Sequence, residues 1–280
     1  MQRFRRRDLV LLCNRRGKAH HPYDGTEVEG EFMMWTPGLG LENLLLTVGI
    51  TVVLLVLGRR AHVLDTGGML AAVVLAGVVG GLGHWTWLLL LLAFLASSHL
   101  ATKHRFDEKA AKGMSESGDG SRGWTNVVAN GGWPGLVVLL AFLVDGHASG
   151  LWVFAAAVAV ATADTWASEF GCLDDRVWMI TTMRRCEPGL NGGVSPRGQG
   201  AAFGGAAFIA LLSALVAVLT GNVCSWVEPV VVLLAGFLGC QLDSVLGALL
   251  ENRGWMTKGT VNAASILMGA VGAAAVVGFP

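Results

Sequence analysis

Eight successive stretches of apolar residues dictate what this chain folds into: approximately 39 to 58, 64 to 82, 84 to 101, 128 to 145, 151 to 171, 201 to 220, 227 to 250 and 260 to 279. Each is near the ~20 residues that carry a helix across ~30 Å of hydrocarbon. The sequence therefore predicts an all-α, polytopic transmembrane bundle of about eight spans. Residues 33–280 form it as a single domain behind a polar tail of residues 1–32. The second and third spans meet at a Gly-rich turn around Gly80 to His84, which leaves the count open between seven and eight. With 53% hydrophobic and 14% charged residues, the composition is that of an integral membrane protein.

Lys and Arg placement tests the span count independently. Beyond the tail, all thirteen fall in four loops: Arg59 and Arg60; Lys103, Arg105, Lys109, Lys112 and Arg122; Arg176, Arg184, Arg185 and Arg197; Arg253 and Lys258. With eight spans these loops share one membrane side, which the positive-inside rule makes the cytoplasm. Both termini then face outward. The seven basic residues of the tail run against the rule. A start at Met33 or Met34 reconciles them; an additional membrane segment is the other solution. The tail is not a signal peptide, since its apolar patch, Leu9 to Cys13, is too short for an h-region. Trp85, Trp87, Trp152 and Trp226 fall in or beside the non-basic loops and read as an interfacial aromatic belt.

Zero formal net charge leaves no basic surplus for binding nucleic acid. Cys13, Cys172, Cys186, Cys224 and Cys240 lack any Cys-x-x-Cys or Cys/His spacing. That argues against a zinc site, an iron-sulfur site or a disulfide framework and reads as packed or unpaired thiols.

Against this apolar background, Ala161 to Gly171 stands out. It closes a 21-residue apolar run from Leu151 and carries Asp164 and Glu169. A mid-bilayer carboxylate costs roughly 2.5 to 3.5 kcal/mol on insertion scales, so a chain that keeps one gives it a partner or a task. Asp164 lies ~10 Å of helix rise from the run's end, under the membrane surface. Other polar residues collect at the same end. Asn126 and Asn130 are one turn apart at the start of the fourth span. The loop holding Asn191, Gly192, Gly193 and Ser195 leads straight into the sixth span, and its glycines suit backbone amides turned toward an anion. Asp243, Ser244 and Glu251 close the seventh span; Lys258, Thr260 and Asn262 open the eighth. Ser168 shares a helical face with Asp164, while Glu169 is rotated away. Two parallel helices bring Asp164 and Asp243 to similar depth, where hard carboxylate oxygens suit a divalent cation. Carboxylates, a glycine loop and basic residues are the parts of metal-assisted phosphoryl or nucleotidyl transfer. Structural readings stand beside these: Asp164 as a bundle-locking ion pair, Glu169 and Glu251 as solvated interfacial acids, and the glycine loop as a tight reversal.

Three blocks carry a family resemblance. They are Asn126-Val-Val-Ala-Asn-Gly-Gly; Ala163-Asp-Thr-Trp-Ala-Ser-Glu-Phe-Gly with Gly189-Leu-Asn-Gly-Gly-Val-Ser; and Asp243-Ser-Val-Leu-Gly-Ala through Glu251-Asn-Arg-Gly-Trp to Asn262. Over approximately Leu41 to Gly278 the chain resembles a widespread family of integral membrane proteins that includes plant phytyl-phosphate kinases. It is distantly similar to CTP-using dolichol and phytol kinases and phosphatidate cytidylyltransferases. Where relatives often have Thr, this chain has Leu190.

The resemblance implies a multi-pass enzyme transferring a phosphoryl group from CTP or another nucleotide to a prenyl monophosphate, with Mg2+ and a site facing the cytoplasm. Under it, Asp164 and Asp243 hold metal or phosphate, and Glu169 is a further ligand or orients one. Asn191, Gly192, Gly193 and Ser195 cradle phosphates, and Asn126, Asn130, Ser168 and Asn262 line the cleft. Its partners are a prenyl-phosphate lipid, a nucleotide and the surrounding membrane lipid, with no nucleic acid. A transporter or flippase using the intramembrane carboxylates, and a CTP-dependent lipid cytidylyltransferase, are the alternatives.

Overall fold

A computed structural model describes residues 37–114, 120–222 and 224–280. The tail of residues 1–32, and with it the expectation of a later start, lies outside the described residues. Eight of the described helices are long and apolar enough to cross a membrane. They belong to α1 (Leu41–Arg60), α2 (Thr66–Ala76, continuing as a π-helical turn over Gly77–Gly83), α3 (Trp85–Lys103), α5 (Trp124–Leu143), α6 (His147–Gly171), α7 (Pro196–Leu219), α8 (Val227–Leu246, continuing as a π-helical turn over Gly247–Glu251) and α9 (Lys258–Val277). A short helix, α4 (Phe106–Ala111), sits between α3 and α5. The turn that left the count open resolves into two spans: the π-helical turn ends at Gly83, and an extended His84 caps α3.

The bundle is built around α6, which packs against α3, α5, α7, α8 and α9. Its residues Gly150–Ala163 are buried without a break. A helix that is hydrophobic all round belongs in the middle of a bundle, and the sequence of this segment meets that condition. Water does not drive helices together within lipid, so close approach of small residues carries the packing. Gly239 of α8 and Gly269 of α9 both lie against Val160; a Cβ at either would come within 2.5 Å of its Cγ2. Large apolar side chains such as Leu45, Leu215, Leu238 and Val271 are exposed around the outside, as a lipid-facing surface requires.

Helix α1 is peripheral, with only Asn43 and Thr47 buried. Asn43 fastens it, its amide donating to the Gly38 and Gly80 carbonyls at 2.7 and 2.6 Å and its Oδ1 accepting from the Trp85 amide at 2.8 Å. This clamp is at the non-basic end, and at Gly80 it satisfies a carbonyl where α2 leaves regular geometry.

Two expectations need correction. Trp87 and Trp152 are not interfacial anchors: they are 3% and 2% exposed, and Trp87 stacks on Phe154 at 5.4 Å in the core. Trp226, 77% exposed, fits the belt. Helices α5 and α7 begin at Trp124 and Pro196, four and five residues before their apolar stretches. Hydrophobicity marks where lipid begins, whereas these helices start in a polar cleft. Of the cysteines, Cys172, Cys186, Cys224 and Cys240 are all free thiols.

Candidate functional site

The polar cleft opens at the end of the bundle that carries the basic loops, where α6 and α8 finish and α5, α7 and α9 begin. Its floor is acidic. Asp164 of α6 and Asp243 of α8 have carboxyls within hydrogen-bonding reach of one another. Asn262 donates to Asp164 Oδ2 at 3.5 Å, and Ser265 donates to Asp243 Oδ2 at 2.8 Å. The Lys258 ammonium is close enough to act on Asp243 electrostatically.

The cleft has two lobes of 350 and 340 Å³, and Asp164, Ser168, Glu169 and Lys258 line both. One lobe lies under the loop between α6 and α7, with Asn191, Gly192, Gly193, Ser195, Asp243 and Glu251 in its wall. The other lies toward α5, with Asp65, Arg122, Asn126, Asn130 and Asn262. Every site residue expected from the sequence therefore reaches one lobe or both. Three helix N-termini point at these lobes, those of α5, α7 and α9. The partial positive charge of these helix ends favours anions, and Lys258 adds a full charge, while the first amides of α7 are already taken by Asp174 and Ser195.

The loop over the first lobe is braced from below. Gly193 pairs with Met179 in a two-strand ribbon, β1 (Trp178–Met179) with β2 (Gly193–Val194). Asp174 binds the Arg176 amide at 3.0 Å and the Arg197 amide, in the first turn of α7, at 3.3 Å. The Arg176 amide, then its guanidinium, hold the Asp174 carboxyl below its ordinary range. Gly192, at φ +83°, lies directly on α8: a Cβ there would be 2.4 Å from Ala248 Cβ and 2.8 Å from the Ser244 carbonyl.

Several side chains are occupied in ways the sequence did not indicate. The Gly193 amide closes a turn onto the Leu190 carbonyl at 2.9 Å, so it does not face the lobe as an anion donor. Ser195 caps α7, accepting from the Gly198 amide at 3.1 Å and donating to the Gly171 carbonyl at 3.3 Å. It contributes the helix end it caps rather than a hydroxyl. Glu169 accepts from Lys109 at 2.5 Å and from the Thr102 hydroxyl at 2.6 Å, so both its oxygens are engaged. Lys109 is 1% exposed and also donates to the Ala101 and Thr102 carbonyls.

Lys109, Thr102, Asp65 and Arg122 are cleft residues that sequence reading did not single out. Lys109 and Arg122 were indistinguishable from the other loop cations. Asp65 carries one signal, the Asp-Thr-Gly-Gly start of α2, whose cap it supplies by accepting from the Gly68 amide at 2.7 Å.

Fold and site together define a polytopic α-helical membrane protein with an acidic cleft at one membrane face. The chain belongs to the integral membrane protein family DUF92, whose model matches residues 49–273. An uncharacterized membrane protein of Methanocaldococcus jannaschii is 29% identical over 237 residues, 82% of this chain and 93% of the relative. The protein PGR of Arabidopsis thaliana is 29% identical over 212 residues, 69% of this chain and 73% of its own. An uncharacterized membrane protein of Synechocystis is 30% identical over 191 residues, 66% and 72% of the two chains. No solved structure matches the chain.

Proposed function

We propose that this protein is a membrane-embedded phosphotransferase that moves a phosphoryl group from CTP or another nucleoside triphosphate to a prenyl monophosphate, with its cleft facing the cytoplasm. The observation that carries the reading is the pairing of Asp164, on the wall common to the two polar lobes, with Asp243 of the lobe under the α6–α7 loop, where helix N-termini also converge. Two lobes accommodate two polar substrates, and their common wall is where the reacting phosphates meet.

Two carboxylates in contact below a membrane surface repel unless a proton or a cation lies between them. Mg2+ is commonly held by one or two carboxylates together with substrate phosphates and water, so Asp164 and Asp243 fit it without a third acidic ligand. The chemistry supplied by Mg2+ when bound is neutralisation of negative charge on phosphate oxygens. The chain's own residues do the rest. Asn262 and Ser265 orient the two carboxylates. Lys258, with the partial positive charge at the N-termini of α7 and α9, attracts the phosphate oxygens. A prenyl-phosphate oxygen forms a bond to the γ-phosphorus as the bond from that phosphorus to the β–γ bridging oxygen breaks, releasing a nucleoside diphosphate. The acceptor is already an anion near neutral pH, so no general base is required.

Glu169 enters as a positioning residue, because its oxygens hold Lys109 and Thr102. A carrier would need access to the carboxylates from both membrane faces. The unbroken burial of Gly150–Ala163 on the other side of Asp164 favours the enzyme. The test uses purified protein with CTP labelled at the γ or the α phosphate, plus phytyl or geranylgeranyl phosphate. Lipid carrying γ label is the expected result. Lipid carrying α label means cytidylyl transfer, and unlabelled lipid with every nucleotide and prenyl phosphate tried overturns the reading.

A further inference from the structure

A second cavity adjoins the cleft on the side facing α1. It is apolar and narrow, about 100 Å³, and lies among α1, α2, α3 and α5, with Leu54, Ala72, Leu91 and Val127 in its walls. Arg122, Asn126 and Asn130 line both this groove and the α5-side lobe. The groove thus runs into the polar cleft at one defined place.

That junction carries the features of a site for a molecule apolar along its length and oxygenated at one end. The Arg122 guanidinium lies 5.6 Å from the Phe94 ring centroid, a cation at the rim of a hydrocarbon slot. Asn130 is 4% exposed. Its amide nitrogen donates to the Asn126 carbonyl at 2.9 Å, which fixes the orientation of the side chain, and its Oδ1 has no hydrogen-bond partner among the described residues. A buried acceptor left unpaired costs about 1–3 kcal/mol, and a ligand that brings a donor removes that cost. An alcohol hydroxyl supplies one; so does the P–OH of a phosphate monoester.

We infer that the groove among α1, α2, α3 and α5 holds the single hydrocarbon chain of the lipid acceptor, whose oxygenated head passes Arg122 and Asn130 into the α5-side lobe, leaving the lobe under the Gly192 loop to the nucleotide. This deepens the phosphotransferase reading and rests on it for the word acceptor. A slot of about 100 Å³ encloses only the part of one chain nearest its head, the rest lying in lipid, and has no room for the paired chains of a diacyl phospholipid.

Gly58 of α1 lines the groove, and a Cβ there meets nothing within 4 Å. Gly58→Leu therefore fills the slot without displacing backbone. Gly49, on the same helix and equally open, lines none of the described cavities and gives the matched control Gly49→Leu. In turnover, Gly58→Leu raises the KM for phytyl phosphate by about tenfold or more, the scale of a misfitted methylene group in an apolar pocket. It leaves the nucleotide KM unaffected, and Gly49→Leu changes neither.

A second arm needs no turnover. Phytyl phosphate and phytol, each with a diazirine in mid-chain, are photolysed with the wild-type protein in nanodiscs, and the labelled peptides are mapped. Labels on α1, α2, α3 or α5 around the groove are expected from one or both probes, competed by the unlabelled single-chain lipid and not by dipalmitoyl phosphatidic acid. The probe that labels distinguishes a phosphate head from an alcohol. Groove labelling without phosphoryl transfer overturns the enzymatic reading and leaves the chain site standing. Phosphoryl transfer with labels elsewhere, an unchanged KM for phytyl phosphate in Gly58→Leu, or competition by phosphatidic acid overturns the inference.

Discussion

The Lys109 ammonium reaches Glu169 across 60 residues of sequence and meets its carboxylate at 2.5 Å, in a pocket where the lysine side chain is 2% exposed. Helix α4 is pinned to the end of α6 by this contact and tied to the end of α3 by the two carbonyls that the same ammonium binds. It builds one side wall of the α5-side lobe.

Removing one partner of a buried pair leaves the other charge unpaired, at a cost of about 3–5 kcal/mol, whereas replacing both groups is far milder. Lys109→Met is therefore expected to lower the Tm of the detergent-solubilised protein sharply, and Lys109→Met with Glu169→Gln to recover most of the loss. A double variant as unstable as the single one would remove the pair from this role.

Asp164 and Asp243 make the opposite prediction. Their carboxyls crowd each other rather than neutralise each other, so the arrangement is maintained at some expense in stability. Asp164→Asn should preserve or slightly raise the Tm while phosphoryl transfer falls by at least about 10²-fold, the scale on which a lost electrostatic contact to the reacting groups acts. Normal turnover in that variant would exclude Asp164 from the chemistry.

Gly192 separates strain from close approach. Gly192 and Gly254 have φ of +83° and +72°, but a Cβ at Gly254 meets nothing within 4 Å, while one at Gly192 collides with Ala248 and the Ser244 carbonyl. Gly254→Ala should cost only the backbone strain, about 1 kcal/mol. Gly192→Ala must in addition push the loop off α8, so its nucleotide KM rises while that of Gly254→Ala does not. Equal KM values for the two would mean that the loop's seat on α8 does not shape the nucleotide lobe.

The span count and the polar end of the bundle were legible because lipid imposes a one-dimensional code. Apolar length gives the crossings, and Lys and Arg give the sides. Asp164, Asn126 and Asn262 stood out because a bilayer makes polar side chains conspicuous. The same code hides the opposite cases. Lys109 looks like any loop cation, and its burial depends on how α4 folds back over the end of α6. Trp87 and Trp152 follow the composition of an interface but sit where helix packing closes over them. The engagement of Gly193 and Ser195 in turn and cap geometry is invisible in a Gly-rich string, which reads the same whether its amides face a ligand or the loop itself.

The membrane side of the cleft is open to direct measurement with two native thiols. Cys186 is in the loop over the nucleotide lobe, and Cys224 is between α7 and α8 at the other end of the bundle; both are part-buried and free. Burial pushes the Cys186 thiol above its ordinary range, and burial with the nearby Glu228 carboxylate does the same for Cys224. A raised pKa lowers the thiolate fraction at neutral pH, and since the thiolate is the nucleophile, labelling should accelerate about tenfold per pH unit on the alkaline side of neutrality. In cells expressing variants that retain a single cysteine, a membrane-impermeant maleimide at mildly alkaline pH should modify the Cys224 protein from outside. It should modify the Cys186 protein only after permeabilisation. The reverse pattern would place the cleft on the outer face, out of reach of cytoplasmic CTP, and would defeat the proposed reaction while leaving the fold untouched.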